Sequence, residues 1–313
     1  MCFFICNLTI MLHGKDILSI NDLTKEEIEC ILDMTTTLKA HPEPNLFEGL
    51  VMASCFFEPS TRTRLSFENA FVKMGGSVTG FADPAVTSVK KGETLYDSMR
   101  IIGQYVDVVV VRHRLEGAAR RAADATDVPV MNGGDGANQH PTQTLLDLFT
   151  IRECQGRIDN LSIALVGDLK YGRTVHSLAE ALVHYDITLH FVAPESLQMP
   201  AYICDKLDRA GVSYTKHSHL EGLVPSLDIL YMTRIQEERF PDKDEYERLK
   251  NSFIITPKTL SEAKSTMKIL HPLPRVNEID HRVDKMPHAH YFEQARNGLY
   301  TRQAVMSLVL GKY

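Results

Sequence analysis

The stretch Phe56-Phe57-Glu58-Pro59-Ser60-Thr61-Arg62-Thr63-Arg64 places hydroxyls and guanidinium groups side by side between a short apolar run and an amphipathic one. That is where a strand hands over to a helix, so backbone N–H groups and the helix dipole converge on one spot and favour an anion such as phosphate. Ser60, Thr61 and Thr63 add hydroxyl donors, and Arg62 or Arg64 adds a charged fork. Arginine in a first turn opposes the dipole, so two of them want an anionic partner. The competing reading is an ordinary cap followed by a solvated basic turn. A Walker loop is excluded, because the Gly-rich run and GK[ST] ending are absent.

Other residues carry weaker signals. Arg112 follows the apolar run Val106 to Val111 and so sits at a strand's carboxyl end, where α/β sites form; alone it reads equally as a salt-bridged edge arginine. His140, in a Pro-flanked turn opening a helix, reads alone more readily as a structural hydrogen-bond donor than as a catalyst. Gln143 lies three residues on, on the same helical face. Ser88 and Lys91 fall in a polar stretch with the composition of an exposed loop, and Pro272-Leu273-Pro274 reads as a plain loop. Gly167 to Gly172 follows a strand but lacks GxGxxG spacing, which weakens a dinucleotide-binding reading.

These residues need a scaffold of alternating elements. Short β-branched runs at Val51 to Phe57, Val106 to Val111, Leu161 to Val166, Ile187 to Val192 and Asp228 to Met232 read as buried parallel strands. Between them, Phe67, Ala70, Phe71 and Met74 keep helical spacing, as do Val175, Leu178, Ala179 and Leu182, and Ile203, Lys206, Leu207 and Ala210. A capping box at Thr24-Lys-Glu-Glu27 starts a first helix near Lys25. The fold class expected is α/β, with two domains, each a parallel sheet flanked by helices, linked by interdomain helices. The boundary is placed at Gln139-His140-Pro141, where the Gly- and Asn-rich loop Asn132 to Asn138 gives way to a helix at Thr142 to Glu153. The first domain is then 1–140 with a C-terminal helix at about 298–313, and the second is 141–297. The charged segment Gln236 to Lys250 reads as a solvated, mobile loop.

At 313 residues the chain is long enough for two such domains. Its charge of -6 is spread along the chain and gives no general attraction to nucleic acid or to an anionic membrane, so anionic substrates must be drawn by a locally basic site. Six cysteines form no CxxC pair, which argues against a zinc site or a disulfide framework; neither metal nor cofactor is expected. No run reaches the length of a membrane span, and Met1 to Ile10 lacks a basic n-region and a cleavage site. A cytoplasmic location is expected, with Met1 and Met11 both open as the start.

The Ser60 to Arg64 stretch resembles the phosphate-binding signature of the aspartate and ornithine carbamoyltransferases. The resemblance continues in order through Thr87 to Thr94, Val111-Arg112-His113, His140-Pro141-Thr142-Gln143, Gly167 to Ser177, Met232 to Gln236 and His271-Pro272-Leu273-Pro274-Arg275. The loop bearing Arg173, the Thr233-Arg234-Ile235-Gln236 stretch and His-Pro-Leu-Pro are similar to members that use aspartate. Members that use ornithine typically have His-Cys-Leu-Pro and an acidic specificity segment. Aspartate brings two carboxylates, which Arg173 and Arg234 can hold bidentately.

The resemblance implies an early step of pyrimidine biosynthesis, the formation of N-carbamoyl-L-aspartate from carbamoyl phosphate and L-aspartate. It assigns Ser60, Thr61, Arg62 and Thr63 to the phosphate, and Arg112, His140 and Gln143 to the carbamoyl group. Pro272 and Leu273 would receive the aspartate amine and the carbamoyl NH2 through backbone carbonyls, with Lys91, Arg173, Arg234 and Gln236 on aspartate. Ser88 and Lys91 would reach into a neighbouring subunit's site, which implies a homotrimer with shared sites; the family varies by one residue in this loop's length, so Ser88 is the less secure of the two. Regulatory chains stay open. The implied chemistry is direct attack by the amine, with Thr63, Arg112 and His140 on the oxyanion and Arg62 and Lys91 on the leaving phosphate. Two rivals remain: transfer to another amine such as ornithine, and a non-catalytic scaffold, which would be expected to have lost one of Arg62, Thr63, Arg112, His140 or Lys91.

Overall fold

The computed structural model describes residues 12–235, 243–250 and 252–313. The choice between Met1 and Met11 and the expectation for Gln236 lie outside the described residues. Helix α1 (Lys25–Ala40) starts at a complete capping box, in which Thr24 Oγ1 accepts the Glu27 N–H at 3.3 Å and Glu27 Oε2 accepts the Thr24 N–H at 2.8 Å. Then follow β1 (Val51–Phe56), α2 (Arg62–Val72), β2 (Ser77–Phe81), α3 (Leu95–Ile102), β3 (Val108–His113), α4 (Ala118–Ala123), β4 (Val130–Asp135) and α5 (Pro141–Gln155). The rest of the chain forms β5 (Leu161–Val166), α6 (Arg173–Leu182), β6 (Ile187–Val192), α7 (Ala201–Ala210), β7 (Ser213–His217), β8 (Ile229–Met232), α8 (Lys243–Leu249), β9 (Lys268–Leu270) and α9 (Tyr291–Val309).

One compact unit runs to Phe149 and resumes at Arg296; the other is Thr150–Ala295. The chain passes from one to the other inside α5 and again inside α9. The first unit holds a four-stranded parallel sheet in the order β2-β1-β3-β4. The second holds a five-stranded parallel sheet in the order β7-β6-β5-β8-β9. Central strands are buried along their length, Val108 to Val111 and Ile163 to Val166 among them, which is why they read as unbroken apolar runs.

Each sheet reverses its winding once, between β1 and β3 and between β5 and β8. At such a switch the loops leaving two adjacent strands part in opposite directions and open a crevice at the strands' carboxyl ends. Phe56 pairs with Arg112 across the first switch, and Val166 pairs with Met232 across the second.

Three local expectations are corrected. Asn132 to Asp135 is not loop but the buried end of β4, where side-chain and backbone hydrogen bonds replace the apolar signal. The second half of the charged segment forms α8 instead of loop, with Arg248 in its last turn, where it favours the helix dipole. The C-terminal helix begins at Tyr291, two turns before the expected 298, because its early buried face carries Gln294 and Asn297, which hide the apolar period.

Candidate active site

At the first switch, the Phe57 N–H donates to the Arg112 carbonyl at 2.8 Å, tying the loop after β1 to the end of β3. Ser60 precedes α2 and Arg62 opens it, with Thr61 at the N-cap position making no side-chain cap bond. No acidic residue stands in the first turn. Thr61 and Arg62 are exposed and Ser60 and Thr63 half-buried, so an anion can reach the turn from solvent. Arg112 is oriented from behind: Nε donates to Glu58 Oε1 at 2.7 Å and Nη1 to the Gly133 carbonyl at 3.3 Å. Glu58 belongs to the same loop as Ser60, so one carboxylate joins the Ser60 to Arg64 turn to the arginine.

Asp135, almost wholly buried, gathers the next group. Its Oδ1 accepts from Asn132 Nδ2 at 2.8 Å and from the Gln139 N–H at 3.1 Å, and its Oδ2 accepts from the Gly117 N–H at 2.8 Å and Asn138 Nδ2 at 3.0 Å. This sets the turn that carries buried His140 into α5. Gln143 Nε2 donates to the buried Asp147 Oδ1 at 2.9 Å. A carboxylate only accepts, so the Gln143 amide oxygen is the end directed away from Asp147, and it can receive an NH2 group.

Ser88 and Lys91 stand on an exposed 3-10 turn (Ser88–Lys91) held by Thr87, whose Oγ1 accepts the Val89 N–H at 3.3 Å. They follow the edge strand β2, not the strands that flank the switch. Within this unit the structure groups Ser60 to Thr63 with Arg112 at the switch and leaves Ser88 and Lys91 on the solvent side.

The second unit repeats the arrangement with different side chains. The Thr233 N–H and Oγ1–H both donate to the Val166 carbonyl, at 2.8 and 3.1 Å, so Arg234 leaves β8 beside the end of β5. Gly167 sits there at φ +114°, and a Cβ would lie 2.3 Å from the Thr233 carbonyl oxygen, so no larger residue fits. The loop from Gly167 to Arg173 is braced by Asp168 Oδ1, which accepts the Lys170 and Tyr171 N–H groups at 3.2 and 2.9 Å. His176 Nε2 donates to the Leu169 carbonyl at 2.7 Å, and burial pushes its pKa down, keeping the ring neutral in one tautomer. Arg173 is the first residue of α6 and half-buried.

Pro272 and Leu273 follow β9, the neighbour of β8. Leu273 adopts φ +56°, uncommon for a residue with a branched side chain. β8 pairs with β9, Tyr231 opposite Leu270, which puts the Arg234 loop and the His-Pro-Leu-Pro stretch at the ends of neighbouring strands. Among the described residues no group of three or more His, Cys, Asp or Glu side chains is arranged to hold a metal ion. Burial pushes the Cys55 and Cys154 thiols up to about 12, which makes them inert as nucleophiles.

Two family descriptions match consecutive parts of the chain. Residues 15–153 match the carbamoyl-P binding domain of aspartate/ornithine carbamoyltransferase, and residues 159–309 match its Asp/Orn binding domain. The chain belongs to the aspartate/ornithine carbamoyltransferase family. The aspartate carbamoyltransferase catalytic subunit of Vibrio cholerae is 58% identical over 96% of this chain and 98% of its own length. That of Chromobacterium violaceum is 56% identical over 96% and 99%. The catalytic subunit of M. jannaschii aspartate transcarbamoylase superposes with a TM-score of 0.89 at 46% identity, covering 95% of this chain and 98% of that one. Trypanosoma cruzi aspartate transcarbamoylase in complex with carbamoyl phosphate and aspartate gives 0.89 at 37% identity, covering 96% and 98%.

In a carbamoyltransferase the groups that touch substrate need others that hold them. The sequence reading passes over Glu58, Asp135, Asp147, His176 and Glu278, each of which anchors a candidate ligand residue or its loop. Glu58 and His176 lay within quoted motifs, without their partners. Asp135, Asp147 and Glu278 are buried polar residues whose partners lie several residues away or on another strand, and a linear reading has no access to that pairing.

Proposed function

We propose that this chain catalyses transfer of the carbamoyl group of carbamoyl phosphate to the α-amine of L-aspartate, giving N-carbamoyl-L-aspartate and phosphate. The observation that carries the choice of acceptor is the pair Arg173 and Arg234, on loops leaving the adjacent strands β5 and β8, where an ornithine-type site would need an acid facing the side-chain amine. Ser60, Thr61, Arg62 and Thr63 bind the phosphate. Arg112 and His140 donate to the carbamoyl oxygen, and Gln143 accepts from its NH2. The deprotonated amine attacks the carbonyl carbon. The C–N bond forms, negative charge collects on oxygen opposite Thr63, Arg112 and His140, and the C–O bond to phosphate then breaks. The departing phosphate takes the amine proton, and Arg62 and Lys91 offset its charge. Such preorganised donors are worth about 3 kcal/mol each. Holding two mutually repelling anions in line contributes up to roughly 7 to 11 kcal/mol in well-oriented cases. Gln236 belongs with the aspartate ligands in this reading.

The decisive assay offers carbamoyl phosphate with aspartate, ornithine and other amines. Turnover of aspartate at least a hundredfold above ornithine is expected, and product with ornithine alone would remove this reading.

The exposed Ser88–Lys91 turn completes a neighbouring copy's site, and the assembly is a homotrimer; regulatory chains binding such a trimer are compatible with this. Lys91→Ala and Arg112→Ala chains, each nearly inert, should regain activity when dissociated and reassembled together, because mixed trimers contain sites free of both changes. Absence of recovery in correctly assembled mixtures would exclude shared sites.

A further inference from the structure

We propose that His271, held by Glu278, is a positioning residue that aims the Pro272 and Leu273 carbonyls at the reacting nitrogens; this rests on the functional reading above. His271 is buried and both its ring nitrogens are committed. Nδ1 accepts the Leu273 N–H at 2.8 Å, and Nε2 donates to Glu278 Oε1 at 2.7 Å. The ring is therefore neutral with its proton on Nε2, and burial, which lowers its pKa, favours that form.

Glu278 is fixed in turn. Its Oε2 accepts the Val276 and Asn277 N–H groups, both at 3.0 Å. Burial would raise its pKa, but the hydrogen bond from His271 and those from the backbone outweigh that and hold it low, so a carboxylate faces the ring. The His271 N–H donates to Gln294 Oε1 at 2.7 Å, which ties the start of the loop to α9. His271 and Glu278 thus tie the two ends of residues 271–278 to each other, while Arg275 between them is held separately, Nη2 donating to Asp284 Oδ2 at 2.6 Å and Nη1 to the Tyr291 hydroxyl at 3.0 Å.

The geometry gives this pair a consequence beyond stability. The Leu273 N–H and the Pro272 carbonyl share one trans peptide plane and point in opposite directions. Gripping the N–H from one side therefore sends the Pro272 carbonyl out on the other. Leu273 at φ +56° then sets the direction of the next carbonyl, in a conformation that surrounding structure must enforce. A carbonyl receiving an amine in a transition state has to be aimed within a narrow cone, and a misplacement near 1 Å can cost ~100-fold in rate.

The test uses the full-length chain and three variants. His271→Ala should lower kcat/KM for aspartate by ~30-fold or more, while inhibition by inorganic phosphate, which binds on the first unit, changes by less than about twofold. His271→Asn can place Oδ1 where Nδ1 stands and should recover at least about tenfold of that loss. Glu278→Ala leaves the imidazole in place but unanchored and should show the same split between aspartate and phosphate; it serves if His271→Ala does not fold. The proposal is overturned if His271→Asn is no better than His271→Ala, if phosphate binding weakens in parallel, or if Glu278→Ala behaves as the parent. A parent chain inert toward aspartate would instead remove the functional reading, and the proposal with it.

Discussion

Replacing Arg112 by alanine is expected to lower kcat by about 10²- to 10³-fold, the loss seen when one preorganised donor to a developing oxyanion is removed. Arg112 is the next-to-last residue of β3 at the switch point, its side chain only 15% exposed, with Nε on Glu58 and Nη1 on the Gly133 carbonyl. Those two bonds fix the plane of the guanidinium before any substrate arrives, so its remaining N–H groups need no reorganisation when charge develops. Arg112→Lys should also fall by at least about tenfold, because an ammonium cannot hold Glu58 and a ligand in one fixed plane. Folding should suffer little in either variant, since the partner carboxylate is itself part-exposed and can be hydrated. Initial rates at saturating aspartate, with thermal unfolding as a control, decide the matter. A folded Arg112→Ala chain within threefold of the parent would take Arg112 out of the site.

Legibility in the sequence followed burial. The strands Leu161–Val166 and Ile187–Val192 appear with the bounds the apolar runs suggest, because the first is buried on nearly its whole length and the second keeps Ile187, Leu189, Phe191 and Val192 buried although Thr188 is exposed. β2 and β7 escaped, since as edge strands they hold no buried residue, with Ser77, Thr79, Ser213 and Thr215 exposed. β9 is too short to register, and the end of β4 is built of Asn and Gly. The strand-to-helix turn at Ser60 to Arg64 was legible because strand end, hydroxyls and helix start are contiguous in the chain. His140 was legible only through resemblance. What holds its turn is Asp135, and only the fold shows that this carboxylate also reaches the Gly117 N–H. The strand order matters in the same way. Arg112 and Glu58 are far apart in sequence, and they meet because β1 and β3 are neighbours while β2 lies outside them.

Arg234→Ala is expected to reduce kcat/KM for aspartate by about 10²- to 10³-fold while leaving the affinity for carbamoyl phosphate within about threefold. A bidentate arginine–carboxylate contact comprises two charge-assisted bonds, each worth roughly 1.5–3 kcal/mol, and each 1.4 kcal/mol is a factor of ten. The asymmetry between substrates follows from where the residues stand. Ser60 to Thr63, Arg112, His140 and Gln143 belong to the first unit, whereas Arg234 leaves β8 in the second, beside Gly167, where its backbone is set by the Thr233 bonds to Val166. Removing its side chain beyond Cβ does not disturb those backbone bonds. Arg173→Ala should behave alike, because a substrate with two carboxylates needs two forks, and a double variant should lose more than either alone if each fork holds its own carboxylate. Equal loss of aspartate and carbamoyl phosphate on changing Arg234 would mean that it serves the donor, and the choice of aspartate would then rest on Arg173 alone.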